Sequence, residues 1–374
     1  MPETNKAVSS LAGQQTYTVA GLMSGTSLDG VDIACCTFTQ ANNIWIYKIL
    51  NAATISYPNA WKARLSTIHL SSAAQLAETH FAYGRYLGQL TRQFLDEHHL
   101  RPDFVASHGH TIFHQPEIGL CLQLGNGASL AAAARLPVVC DFRTLDIALG
   151  GQGAPLVPIG DRLLFGQYTF CLNLGGIANI SAVYKGSQLA YDVCACNLAL
   201  NYLAAQLGLE YDQDGNTARS GTLNQSLLAA LNQPIYYAAP APKSLGREWV
   251  EEHVIRLLHG SGLSVEDQLC TTCHHIAQQV AASVKDLLKQ NPTANATLLV
   301  TGGGAFNGFL IELFKQYLHG QAEVVVPDAG VVNFKEALIF ALLGVLRWRT
   351  EVNCLSSVTG ASADNVGGAI YWHQ

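Results

Sequence analysis

The sequence predicts an α/β protein built as two similar domains that face each other across a cleft. Three observations predict it. The chain has 374 residues, room for two domains of about 100–200 residues each. Two apolar strand–turn–strand segments, Thr16 to Phe38 and Tyr168 to Tyr184, each open roughly one domain length of chain. Their turns carry Gly, Ser and Asn, which is hairpin punctuation. A third glycine turn, Thr301-Gly302-Gly303-Gly304, closes a strand and opens a helix.

The elements follow in chain order. Residues 1–15 are polar and read as a flexible leader. After the first hairpin, a long helix is expected from Ser72 to His98, with Leu76, His80, Tyr83, Leu87, Leu90 and Phe94 recurring at helical spacing. DFVASHGHTIF reads as a strand ending in a polar His/Gly turn, and LPVVCDF as a strand ending in Asp141. Gly150 to Pro155 is a Gly-rich loop and a crossing point between domains. The second hairpin leads to a short strand ending at Tyr191-Asp192, a helix, a polar loop and two more helices. A strand, the Thr301 glycine turn with its helix, the strand AEVVVPD and the apolar helix NFKEALIFALLGVLRWR follow. The C-terminal SVTGASADNVGGAIYW is expected to return to the first domain. The boundaries are 16–160 plus 357–374 for the N-terminal domain and 161–356 for the C-terminal one.

Composition narrows the class. Hydrophobic residues make up 49% of the chain, enough for two cores and too many for a disordered protein. A net charge of −6 gives no reason to expect nucleic acid or an anionic membrane as partner. No apolar run approaches the ~18–20 residues of a membrane span, and the N-terminus has no apolar signal core, so a cytoplasmic location is expected. Ten scattered cysteines read as reduced core residues. Cys270-Thr-Thr-Cys273-His274-His275 matches a haem-attachment string and half of a zinc site. It also lies in a helical pattern with Leu269, Cys273, Ile276, Val280, Val284 and Leu287 on one face. The helical reading is preferred.

The three glycine turns carry the chemistry. Ser24-Gly25-Thr26-Ser27 offers hydroxyls and backbone N–H groups with little side-chain bulk, a surface suited to phosphate oxygens. Asp29 and Asp32 suit a Mg²⁺ held through its water shell between carboxylate and phosphate. No direct metal ligand is identified, and Asp29 is the candidate for contact through water. Gly175-Gly176 in the second hairpin faces the first if the domains oppose each other. Backbone amides and close approach at Gly302, Gly303 and Gly304 suit a nucleotide. The candidate nucleotide site takes in Gly25, Thr26, Ser27, Leu28, Asp29, Gly30, Val31, Asp32, Gly175, Gly176, Gly302, Gly303, Gly304 and Asn307.

GLMSGTSLDGVD, NLGGIANI, GGQGAPLVP, TGGGAFN and the terminal SVTGA together closely resemble the anhydro-N-acetylmuramic acid kinase family. The resemblance runs from about Val19 to Ala361. It implies two actin-like (ribonuclease H-like) domains around a nucleotide and sugar cleft, ATP and Mg²⁺ as cofactors, and a homodimer. The implied reaction opens a 1,6-anhydro bridge with water and phosphorylates the 6-oxygen from ATP, in cell-wall recycling. The resemblance makes Asp192 the catalytic base and His108, Arg143, Asn197 and Glu336 contacts to the sugar. Two motifs depart from the family. Asp192-Val193-Cys194-Ala195-Cys196-Asn197 stands where the family has D-T-G-P-x-N, and in Ser107 to Pro116 His110 replaces a Gln and Phe113 takes a place often basic. These departures leave open a kinase of another anhydrosugar such as levoglucosan. A non-catalytic ATP-binding sensor is the second alternative.

Overall fold

The computed structural model describes residues 15–25, 28–241 and 243–373. The expected leader lies outside the described residues, except Gln15, which opens the first strand. Thr26 and Ser27 lie outside them as well.

Two sheets form the molecule. β1 (Gln15–Ser24), β2 (Gly30–Ala41) and β3 (Ile44–Ser56) make an antiparallel meander. β4 (Phe104–Gln115) runs parallel to β1, β5 (Leu120–Leu124) folds back on β4, and β6 (Val138–Cys140) runs parallel to β4. The second sheet repeats the plan. β7 (Phe170–Leu174), β8 (Ile177–Tyr184) and β9 (Ser187–Ala195) form a meander, and β10 (Ala296–Thr301) and β11 (Ala322–Val325) add in parallel beside β7. β12 (Ala369–Tyr371) returns to pair with β6 of the first sheet, as expected of the C-terminal segment. Reading from the meander edge, the orders are β3-β2-β1-β4-β6 and β9-β8-β7-β10-β11. This shared order is the ribonuclease H-like arrangement of actin-like proteins, and it is the fold class that the two hairpins predict.

Local chemistry explains the helices. Ala73–Glu97 starts at Ser72, whose hydroxyl accepts the Gln75 amide while the Gln75 side chain accepts the Ser72 amide. Val265–Gln290 buries Leu269, Cys273, Ile276, Val280, Val284 and Leu287, the face expected from their spacing. Ala329–Trp348 shares an apolar core with Val19, Phe104 and Val139 of the first sheet. The sequence groups this helix with residues 161–356, but its packing covers the first sheet. It is also long and apolar enough to cross a membrane by length and composition, contrary to the expectation that no run is. The physical reason is core burial, because 72% of its apolar window lies inside the protein.

Three local expectations change. β4 continues straight through the His/Gly positions, taking Gly109 at φ +75° where the register shifts, so no turn forms there. β9 runs past Asp192 to Ala195, and the next helix, Asn197–Ala205, begins behind Cys196. The glycine turn at 302–304 enters a short 3₁₀ turn, Gly303–Phe306, and the helix Gly308–Tyr317 starts only after Asn307.

Candidate active site

β1 and β2 pair up to Met23↔Asp32, which puts Gly25, Leu28 and Asp29 at the hairpin tip. Leu28 takes a left-handed conformation there, φ 61°. Val31 is buried, so its side chain belongs to the core. Gly30 sits so close to β3 that a Cβ would meet the Ile55 carbonyl at 2.4 Å. Asp29 is exposed, and Asp32 is half-buried with the Thr54 hydroxyl donating to its Oδ1 at 2.6 Å. Burial raises the proton affinity of Asp32, the Thr54 hydrogen bond opposes this, and the charge of Asp29 adds to it. Beneath the tip lies a buried polar cluster. Ser24 Oγ is 2.6 Å from the Tyr57 hydroxyl, 3.0 Å from His110 Nδ1 and accepts from Tyr83 at 3.0 Å. His110 is therefore spent on holding the first hairpin.

The second hairpin and the glycine turn come together. A Cβ on Gly302 would meet Asn173 Oδ1 at 2.6 Å, and one on Gly304 would meet Leu174 Cβ at 2.7 Å. Asn197 joins them, donating from Nδ2 to the Leu174 carbonyl at 2.9 Å, while its amide donates to Gly175 at 3.1 Å. Expected at the sugar, Asn197 lies against the Gly175-Gly176 turn. Asn307 is buried and its Oδ1 caps the following helix at the Leu310 amide, 2.9 Å.

A second group forms where β6 ends beside the middle of β4. Arg143 donates from Nε and Nη2 to His108 Nε2 at 3.0 and 2.9 Å, and from Nη1 to the Gly153 carbonyl at 2.6 Å. His108 Nδ1 donates to the Gly109 carbonyl at 2.9 Å, which leaves Nε2 as the acceptor. Burial, and then the Arg143 charge, hold His108 far below its ordinary range, so it is neutral. Three of Arg143's five N–H donors are used, and two remain for a carboxylate. Glu336 faces this group. It reaches solvent yet is crowded by protein, as at the floor of a cleft. Its proton affinity is raised by burial, opposed by Arg143, and raised again by Asp32. Asp32, Arg143 and Glu336 thus sense one another across the first hairpin, β6 and the Ala329–Trp348 helix. Among the described residues no group of three or more His, Cys, Asp and Glu is placed to hold a metal ion.

Asp192 belongs to the second sheet. It lies within β9, half-buried, and its Oδ2 accepts the Leu245 amide at 2.9 Å. Burial raises its proton affinity and the Leu245 amide opposes this. It does not cap the following helix, whose N-cap is Cys196. The departing residues Val193, Cys194, Ala195 and Cys196 are all buried in the core of the second sheet.

Two supports carry no signal in the sequence. Asp146 is fully buried, accepting the Gly153 amide on Oδ2 at 2.8 Å. Its Oδ1 accepts from Thr359 at 2.8 Å, Asn365 at 3.0 Å and the Cys354 thiol at 3.0 Å. One carboxylate thereby joins GGQGAP to SVTGA and sets the Gly153 carbonyl that Arg143 uses. Lys335 and Asp161 form a buried ion pair at 2.7 Å, with the Ser181 hydroxyl donating to Asp161 at 2.5 Å. Neither residue belongs to a periodic pattern or a motif, so only the folded chain reveals them. The Cys270–His275 string lies inside the Val265–Gln290 helix, with Cys270 and Cys273 free thiols and His275 fully buried.

A family model described as anhydro-N-acetylmuramic acid kinase matches residues 17–373. A protein of Saccharophagus degradans named anhydro-N-acetylmuramic acid kinase is 34% identical over 376 residues, covering 94% of this chain and 98% of its own. Among solved structures, the activator of the 2-hydroxyisocaproyl-CoA dehydratase from Clostridium difficile overlays at TM-score 0.42 with 15% identity, covering 87% of this chain and 93% of its own. The Acidaminococcus fermentans (R)-2-hydroxyglutaryl-CoA dehydratase component A overlays at 0.41 with 14% identity, covering 87% and 96%. The assignment rests on the first two findings. With a family model spanning nearly the whole chain and a relative of matching length, the protein belongs to the anhydro-N-acetylmuramic acid kinase family.

Proposed function

We propose that this protein opens 1,6-anhydro-N-acetylmuramic acid with water and phosphorylates its 6-oxygen from ATP, giving N-acetylmuramate 6-phosphate and ADP for cell-wall recycling. The family match over residues 17–373 carries the reading. The geometry supports it with one charged group suited to the sugar and two glycine turns suited to phosphates.

Asp192 takes a proton from the attacking water, as in an inverting glycosidase. The water oxygen bonds to the anomeric carbon and the bond from that carbon to the bridging oxygen breaks. The freed 6-oxygen attacks the γ-phosphorus and ADP leaves. The two unused donors of Arg143 suit the lactyl carboxylate. Asp29 and Asp32 at the first hairpin are hard oxygen donors suited to a Mg²⁺ held through its water shell, and Glu336 is kept for the sugar. That ion would neutralise charge developing on the transferred phosphoryl group. Asn197 acts by holding the second hairpin under the phosphates. A cytoplasmic homodimer of two closing domains, 16–160 with 357–374 and 161–356, completes the proposal.

His110 is engaged beneath Ser24 and Val193 to Cys196 are core residues, which favours the muramic acid sugar, while Phe113 in a place often basic is the departure that still speaks for another anhydrosugar such as levoglucosan. Mass spectrometry of the product formed from ATP, Mg²⁺ and anhydro-N-acetylmuramic acid tests the function. A product heavier by one phosphate and one water is expected. A preference for levoglucosan, or ADP release independent of any sugar, would overturn it.

A further inference from the structure

β9 is an edge strand of its sheet, with only β8 as a ladder partner. An edge strand leaves backbone groups unpaired, and at Asp192 these are taken by one segment, residues 235–241 and 243–245. The Tyr236 hydroxyl donates to the Asp192 carbonyl at 2.6 Å. The Asp192 amide donates to the Lys243 carbonyl at 3.1 Å, and the Leu245 amide donates to Asp192 Oδ2 at 2.9 Å. The arch thus holds both backbone groups of Asp192 and one carboxylate oxygen. Among the described residues no donor binds Oδ1, which stays available for a proton.

The arch is itself braced. Lys243 Nζ donates to the carbonyls of Tyr236 and Tyr237 at 3.0 and 3.2 Å and lies 4.7 Å from the centre of the Tyr236 ring. Tyr236 packs on Trp249, ring centroids 5.3 Å apart. Tyr237 reaches His275 Nε2 at 3.1 Å, and His275 Nδ1 lies 2.7 Å from Asn232 Oδ1. An amide oxygen only accepts, so Nδ1 carries the proton and Nε2 accepts from Tyr237. The histidine that resembled a metal ligand in the sequence is the footing of this arch.

We propose that Tyr236 and Lys243 are positioning residues for Asp192, holding Oδ2 on the Leu245 amide and leaving Oδ1 for the attacking water. The proposal rests on Asp192 being the base. Burial pushes the carboxylate toward its protonated form, and the Leu245 amide is the donor that resists this. Loosening the arch removes that donor, so a larger fraction of Asp192 is protonated at a given pH.

The test is the pH profile of kcat/KM for anhydro-N-acetylmuramic acid in wild type, Tyr236→Phe, Lys243→Met and Lys243→Arg. Lys243→Met is expected to lower kcat about tenfold, leave the KM for ATP unchanged, and move the acid limb upward by ~0.5 pH unit or more. Lys243→Arg, which keeps a cation for the two carbonyls, is expected to restore most of both. Tyr236→Phe removes one hydroxyl, keeps the ring on Trp249, and decides the matter if Lys243→Met does not fold. An acid limb at the wild-type position in a folded variant, whatever its kcat, overturns the proposal. Asp192→Asn run alongside separates the two readings, since substantial turnover in it removes Asp192 as base, whereas an inactive Asp192→Asn with an unshifted limb removes only the arch.

Discussion

At the scale of single residues, charge and burial decide what the site can do. Arg143 is committed on one side to His108 and Gly153, which orients the remaining edge of its guanidinium. Lys cannot reproduce that fork. Arg143→Lys is expected to raise the KM for the sugar by roughly ten- to a hundredfold, given ~1.5–3 kcal/mol for a charge-assisted hydrogen bond, with the KM for ATP little changed. Steady-state kinetics in both substrates checks it. His110 is buried and pushed down to about 4, and His275 to about 3. Both lie below the ordinary histidine value, so between these values and ~6.5 the unfolded chain binds protons that the folded chain does not. Stability is fully present above pH ~6.5 and is lost as pH falls through that window. Gln keeps a hydrogen-bonding group at position 110 without the titration. His110→Gln is expected to show a smaller fall in Tm between pH 7.5 and 5 than wild type. An identical fall in both would contradict the assignment.

At the scale of elements, close backbone approach is the recurring device. A Cβ on Gly21 would meet the Ala337 carbonyl at 2.0 Å, so β1 and the Ala329–Trp348 helix touch through that glycine. Neither backbone can step aside within its own hydrogen-bonded element. Gly21→Ala is therefore expected to cost ~1–3 kcal/mol, the scale of core overpacking, as read by denaturant unfolding. Elements of this kind were partly legible in the sequence. Ser72 to His98 and the helix containing Cys270 announced themselves because one apolar face repeats at helical spacing. The two hairpins did so through glycine punctuation. The extension of β4 through Ser107 to His110 was hidden, because a polar His/Gly string reads as a turn until β1 and β5 supply its hydrogen-bond partners. β9 was cut short for a similar reason. Asp192 looks like a helix cap when the segment that covers its strand edge lies 44 to 53 residues away. Motif residues such as Arg143 and Glu336 were found through resemblance. Asp146, Lys335 and Tyr236 were not, because their partners are distant in sequence.

At the scale of the whole molecule, one buried pair runs along the seam between the two sheets. Lys335 belongs to the helix on the first sheet, Asp161 to the helix Val157–Leu164, and Ser181 to β8 of the second sheet. Removing one charge leaves the other buried without a partner. Lys335→Met is expected to destabilise the protein by about 3–5 kcal/mol, while Lys335→Met with Asp161→Leu recovers much of the loss. Equilibrium unfolding of the single and double variants checks this. Since Lys335 precedes Glu336, the single variant is also expected to weaken sugar turnover more than ATP binding.

The Asp146 carboxylate has a consequence for the order in which the protein is made. Its donors Cys354, Thr359 and Asn365 follow it by 208, 213 and 219 positions. A ribosome delivers Asp146 and the Gly150 to Pro155 loop long before it delivers the C-terminal groups that bond to them. Until the C-terminal stretch emerges, Asp146 lacks three of its donors and the Gln152 amide lacks the Thr359 carbonyl that accepts from it. The Gly175-Gly176 turn, held by Asn197, and the Gly302 turn, packed against Asn173 and Leu174, have these partners in the chain by residue 304.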